Sequence, residues 1–222
     1  MVEAMPTRGT RAVANEIDRR LRTLRTPGIA PIRSVRREFS RVMRDWPGAD
    51  VVATALELVK RHRWVAYELV YNHPTAISSL NPTTVQRLGQ NLQGWGDVDA
   101  FARYISGPAW QRGAIGDELI DQWAASPDRW WRRAALVSTV PLNLRAAGGT
   151  GDTRRTLAVC ARLVDDRDDM VVKALSWALR ELVRWDADAV RTFLGEYEAR
   201  VASRIRREVN TKLETGLKNR RR

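Results

Sequence analysis

The 222-residue chain contains one cysteine, Cys160, and two histidines, His62 and His73. A single cysteine excludes an internal disulfide and a thiolate metal site. Neither histidine lies in a zinc-ligand motif or a Ser-His-Asp arrangement, so no metal is expected. No apolar run approaches the length of a membrane span, and the N-terminus carries no apolar signal segment. A cytoplasmic protein without a membrane partner is expected. Lysine is scarce as well: Lys60, Lys173, Lys212 and Lys218 are the full set.

The remaining cations are arginines. Lys+Arg total 38 against 26 acids, for a formal charge of +12 and a pI near 11.0. That excess favours a polyanionic partner through counterion release from phosphates. The 44% hydrophobic content is enough for a core, and nine tryptophans is a high number for this length. Several of them stand beside charges.

Sustained strand alternation is absent, and the pattern from residue 11 is helix after helix. Breaks fall at Pro27-Gly28, Pro47-Gly48, Asn81-Pro82, Gly107-Pro108, Ser126-Pro127 and Gly148-Gly149. Asn81-Pro82 and Ser126-Pro127 read as helix starts, with a capping residue before proline at the first helical position. Residues 1–10 are expected to be disordered, 11–217 to form one helical-repeat domain, and 218–222 to be a basic tail. Arg132-Arg133-Ala134 and Val172-Lys173-Ala174 each follow an Asp-containing turn, 40 residues apart, close to the period of HEAT repeats. The expected fold is all-α, a solenoid of HEAT-like antiparallel helix pairs with a concave basic face.

Three stretches carry chemistry. In Lys173–Arg184 the apolar stripe is Leu175, Ala178, Leu179 and Leu182. At about 100° per residue, Lys173, Trp177, Arg180 and Arg184 fall opposite it. An aromatic ring framed by cations suits nucleic acid. In Gly94–Ala102 a helix begins near residue 96, with Val98, Phe101, Ala102 and Ile105 facing the core. Trp95 and Asp99 are four apart and share one flank, with Asp97 on the other. Ordinary structural roles exist for each: Asp97 and Asp99 complement the helix dipole, and Trp95 staples the loop. In the third stretch, Asp128–Val137, an inward set of Trp130, Ala134, Val137 and Val140 places Arg133 in the apolar arc. A buried arginine needs a carboxylate or phosphate partner.

These stretches resemble the bacterial AlkD-type DNA alkylation-repair glycosylases, which are built from HEAT-like repeats. The matching segments are Trp95-Gly-Asp-Val-Asp99, Trp131-Arg-Arg133-Ala-Ala-Leu and Lys173-Ala-Leu-Ser-Trp177-Ala-Leu-Arg180-Glu, in the family's order and spacing. A looser likeness covers Thr26-Pro-Gly28-Ile-Ala-Pro31-Ile-Arg33, whereas Leu56 to Val70 matches poorly.

The resemblance implies a DNA N-glycosylase that releases cationic N3- or N7-alkylated purines from double-stranded DNA. It implies Asp99 as the catalytic aspartate and Trp95 and Trp177 as the tryptophans flanking the damaged nucleotide's backbone. Arg133 is implied to contact DNA near the lesion, with Lys173, Arg180 and Arg184 as further basic contacts. It also implies a backbone grip that leaves the lesion in the duplex, in contrast to base flipping. A monomer acting without a cofactor is expected. A non-catalytic helical-repeat protein binding duplex or damaged DNA shares the charge and the aromatics. A scaffold for acidic proteins shares only the charge.

Overall fold

The computed structural model describes residues 9–26 and 28–217. The expected basic tail at 218–222 and residues 1–8 of the expected disordered segment lie outside them; Thr10 already opens the first helix. Among the described residues every regular element is helical. The chain divides into two compact units, one ending at Asn91 and one beginning at Leu92.

The first unit holds α1 (Thr10–Arg22), α2 (Ile29–Val42), α3 (Gly48–Leu58), α4 (Arg63–Tyr71) and α5 (Pro82–Leu88). Helix α3 packs against α1, α4 and α5, and Ile17, Val51, Ala55, Leu58, Leu69 and Leu88 are buried between them. Helix α5 starts where Asn81-Pro82 is expected to start it. Asn81 Oδ1 accepts from the Thr84 amide, Thr84 Oγ1 accepts from the Asn81 amide, and Pro82 takes the first position. Both histidines have structural contacts in this unit: His62 Nε2 lies 2.8 Å from Asp18, and His73 Nε2 lies 3.1 Å from the Met43 carbonyl.

The second unit holds α6 (Trp95–Phe101), α7 (Gly107–Gln111), α8 (Asp117–Ala124), α9 (Arg129–Ser138), α10 (Val140–Asn143), α11 (Thr153–Arg162), α12 (Asp169–Leu182), α13 (Ala187–Glu196) and α14 (Ser203–Thr215). A π-helical turn, Ala102–Ser106, joins α6 to α7. Helices α6, α9, α12 and α14 pack one against the next, while α8 and α11 pack against α9 and α12 and against each other. Consecutive helices joined by short connections are antiparallel neighbours. This stacking is consistent with the HEAT-like helix pairs expected from the 40-residue echo.

The echo has a capping basis. Asp128 and Asp168, 40 residues apart, each accept the amide N–H two residues on, from Trp130 and Met170, both at 2.8 Å. The same cap corrects the expected start at Ser126-Pro127. Ser126 Oγ accepts the Asp128 N–H at 3.2 Å, so Pro127 sits in the turn and Asp128 starts α9. Side chains tie each repeat to the next: Arg132 reaches Asp166 at 2.6 Å, and Arg204 reaches Asp169 at 3.1 Å.

The helical phase of α9 also differs in one residue. Ala134, Val137 and Val140 are buried as expected. The aromatic contact with the core comes from Trp131, whose ring centroid lies 4.9 Å from that of Trp123 and 5.9 Å from that of Phe101. Trp130 is half-buried, with the Arg129 guanidinium over its ring. Two adjacent tryptophans satisfy an apolar periodicity almost equally well, and the neighbouring Phe101–Trp123 pair decides between them.

Candidate active site

The stacked helices α6, α9, α12 and α14 line a cleft of about 640 Å³ in the second unit. Helix α6 contributes Trp95 and Asp99, and α9 contributes Arg133. Helix α12 contributes Lys173, Trp177 and Arg180. Six of the seven residues singled out from sequence thus meet in one place. The seventh, Arg184, is solvent-exposed and does not line the cleft. Helix α12 ends at Leu182, so Arg184 falls in the turn that follows it, off the face shared by Lys173, Trp177 and Arg180.

Local sequence explains the placement. In α6, Val98, Phe101, Ala102 and Ile105 are buried, as their spacing predicts. That fixes the opposite flank toward the cleft, where Trp95 is 62% exposed. In α12, Leu175, Ala178, Leu179 and Leu182 are buried, and Lys173, Trp177 and Arg180 are half-buried on the other side. The Trp177 ring is held by its Nε1–H, which donates to Glu181 Oε1 at 3.2 Å.

Arg133 is buried, and its partner is Asp99. Its Nε donates to Asp99 Oδ1 at 2.9 Å and one terminal nitrogen donates to Oδ2 at 2.8 Å. The other terminal nitrogen donates to the Met170 carbonyl at the start of α12. The guanidinium therefore bolts three helices together and fixes the carboxylate's orientation. Burial raises the Asp99 carboxyl above its ordinary value, and the hydrogen bonds and charge of Arg133 pull it back only in part.

Arg180 has a different arrangement. Its Nε donates to the Ser176 carbonyl at 3.1 Å and to Ser176 Oγ at 3.3 Å. One terminal nitrogen lies 3.8 Å from Glu208, an ion pair without hydrogen-bond geometry. Burial lowers the Arg180 pKa, and the charges of Glu208 and Glu181 oppose that shift. Of the two guanidiniums, Arg180 is the one with terminal donors left for a ligand. Lys173 is paired with Asp169 at 2.6 Å.

Sequence reasoning missed the wall made by α14. Arg204, Glu208 and Lys212 line the cleft from successive turns. Their i, i+4, i+8 spacing is the signal that could have shown them on one face. Glu208 accepts from Ser176 Oγ at 2.7 Å and from Arg204 Nε at 2.9 Å. Burial alone would raise its pKa, but those two hydrogen bonds and the nearby arginines outweigh it and hold the carboxyl below its ordinary value.

The cleft therefore combines an oriented carboxylate, two tryptophans and a partly paired arginine. A family model of DNA alkylation repair enzymes matches residues 29–213. The chain belongs to the DNA alkylation repair enzyme family. No curated protein gives a significant match. The match covers the whole cleft: every lining residue, from Trp95 to Lys212, falls inside it. Among the described residues of this family member there is no cluster of His, Cys, Asp and Glu able to hold a metal. None of its described helices is long and apolar enough to cross a membrane. Cys160 is fully buried, and burial pushes its thiol pKa up, away from the reactive thiolate.

Proposed function

We propose that this repair enzyme is a DNA N-glycosylase that hydrolyses the glycosidic bond of cationic N3- or N7-alkylated purines in duplex DNA. The observation that carries the reading is the meeting of Trp95, Asp99 and Trp177 in one cleft, in a member of a DNA alkylation repair family.

The chemistry follows from charge. An alkylated purine is positively charged, so its glycosidic bond is already weak, and cleavage passes through an oxocarbenium-like sugar. An ionised Asp99 stabilises that cation and orients the attacking water. At about 4 Å and an effective dielectric near 20, a carboxylate–cation attraction is about 4 kcal/mol. Felt mainly in the transition state, this is roughly a thousandfold in rate. Trp95 and Trp177 add cation–π attraction on the order of 1 kcal/mol each. Arg133 acts on Asp99, and the Arg180 fork takes a backbone phosphate, with Lys173 and the exposed Arg184 as outer contacts.

A cleft of this kind, open to the duplex, grips the backbone without receiving a flipped base and leaves room for bulky alkyl groups. All the residues assigned to this chemistry lie in one chain, and the proposed active form is a monomer. The test is release of free base from alkylated duplexes under single-turnover conditions, with products identified by mass spectrometry. Absence of base release from methylated and bulky cationic adducts alike contradicts the reading. One observation favours a non-catalytic damage binder as the second reading: both oxygens of Asp99 are engaged by Arg133. In that case damaged duplexes bind preferentially and no base is released.

A further inference from the structure

A cleft that only held DNA phosphates would have little use for acids, least of all in a chain with a net charge of +12. Yet among the described residues five cations and three carboxylates line this one. Asp99 and Arg133 neutralise each other, and Glu181 holds the Trp177 ring. Glu208 remains. It faces the cleft beside two arginines, at 2.9 Å from Arg204 and 3.8 Å from Arg180. Its side chain is 19% exposed, as is that of Asp99. Ser176, one residue before Trp177, is fully buried and anchors Glu208 by a 2.7 Å hydrogen bond. The carboxylate is therefore fixed in place on the wall that α14 builds next to Trp177.

A fixed negative charge there does two things. It offsets Arg180 and Arg204, which lowers the attraction of the cleft for ordinary phosphodiester backbone. It also makes the potential felt by a positively charged base more favourable. A cation inside a polyanion is the feature that distinguishes an alkylpurine nucleotide from its undamaged neighbours.

The geometry points to Glu208 as a specificity-determining residue whose charge makes the cleft prefer a cationic base over a neutral base of the same shape. This rests on the glycosylase reading above, with Glu208 acting on the base and Asp99 on the sugar.

Binding of the full-length protein to two uncleaved duplexes tests it. One carries 7-methylguanine on a 2′-fluoro sugar, which is cationic and resists hydrolysis. The other carries 7-deaza-7-methylguanine, its neutral isostere. The wild type is expected to favour the cationic duplex, and Glu208→Gln to reduce that preference on the order of tenfold. The same substitution is expected to tighten binding to undamaged duplex by about threefold, because it removes a negative charge near the backbone. Opposite changes in the two affinities are not what a loosened fold produces. Glu208→Asp, which keeps the charge, retains most of the preference, and thermal melting of both variants reports folding. A Glu208→Gln preference within twofold of wild type overturns the proposal, as does loss of the preference in Glu208→Asp with its fold intact. Because neither duplex is cleaved, the result is independent of base release. A wild type that releases no base contradicts the glycosylase reading separately.

Discussion

Arg133 grips Asp99 through two parallel hydrogen bonds, 2.9 and 2.8 Å long, from α9 to α6. The pair gives the buried arginine in the apolar arc its carboxylate partner. It orients the carboxylate, and through the Met170 carbonyl it also fixes the start of α12 on which Trp177 stands.

Arg133→Ala leaves a largely buried carboxylate without its partner. Removal of one member of a buried pair is expected to destabilise the protein by about 3 kcal/mol, read as a lower urea midpoint. Arg133→Lys keeps the charge but loses the planar fork, so base release is expected to fall about tenfold with a smaller loss of stability. Full activity in Arg133→Lys would show that the orientation of Asp99 is unimportant.

The pH profile follows from the environment of Asp99. In the proposed reaction the working form is ionised, so activity is expected to fall as pH drops through the folded-state pKa. Burial raises that pKa above the ordinary carboxylate value, so the acid limb of single-turnover base release lies above that of an exposed aspartate. Arg133→Gln removes the two hydrogen bonds and the charge that oppose burial, and shifts the limb to higher pH. A shift to lower pH would contradict this account.

The terminal nitrogens of Arg180 have only a 3.8 Å ion pair with Glu208, and the proposed function gives them a backbone phosphate. Arg180→Gln is expected to weaken duplex binding and to reduce the slope of log K against log salt by about 0.9, the value for one phosphate contact. An unchanged slope would place the phosphate contact elsewhere.

Trp177→Ala is expected to lower base excision more than binding to undamaged duplex. In the proposed reaction the ring acts on the cationic sugar as the bond breaks, whereas most affinity for undamaged DNA comes from phosphates. Equal losses in both assays would reduce Trp177 to a packing residue.

Much of this was legible in the sequence, where a local period decided the outcome. The stripes of α6 and α12 placed Trp95 with Asp99, and Lys173 with Trp177 and Arg180, because one buried face dictates the other. Contacts between repeats were not legible. That Arg133 meets a carboxylate 34 residues away depends on how α9 packs on α6. The choice of Trp131 over Trp130 depends on Phe101 and Trp123, and the cap at Asp128 on a competition with Ser126 two residues earlier. Glu208 escaped notice because its importance lies in Ser176 and Arg180 on another helix, not in its own segment.

The most direct test of the account compares the wild type with Asp99→Asn on duplexes carrying a cationic alkylpurine, under single-turnover conditions. The asparagine keeps the size of the side chain and removes its charge. The wild type is expected to release base, and Asp99→Asn to lose release on the order of a thousandfold while duplex affinity changes far less. Equal rates for the two proteins would contradict the account.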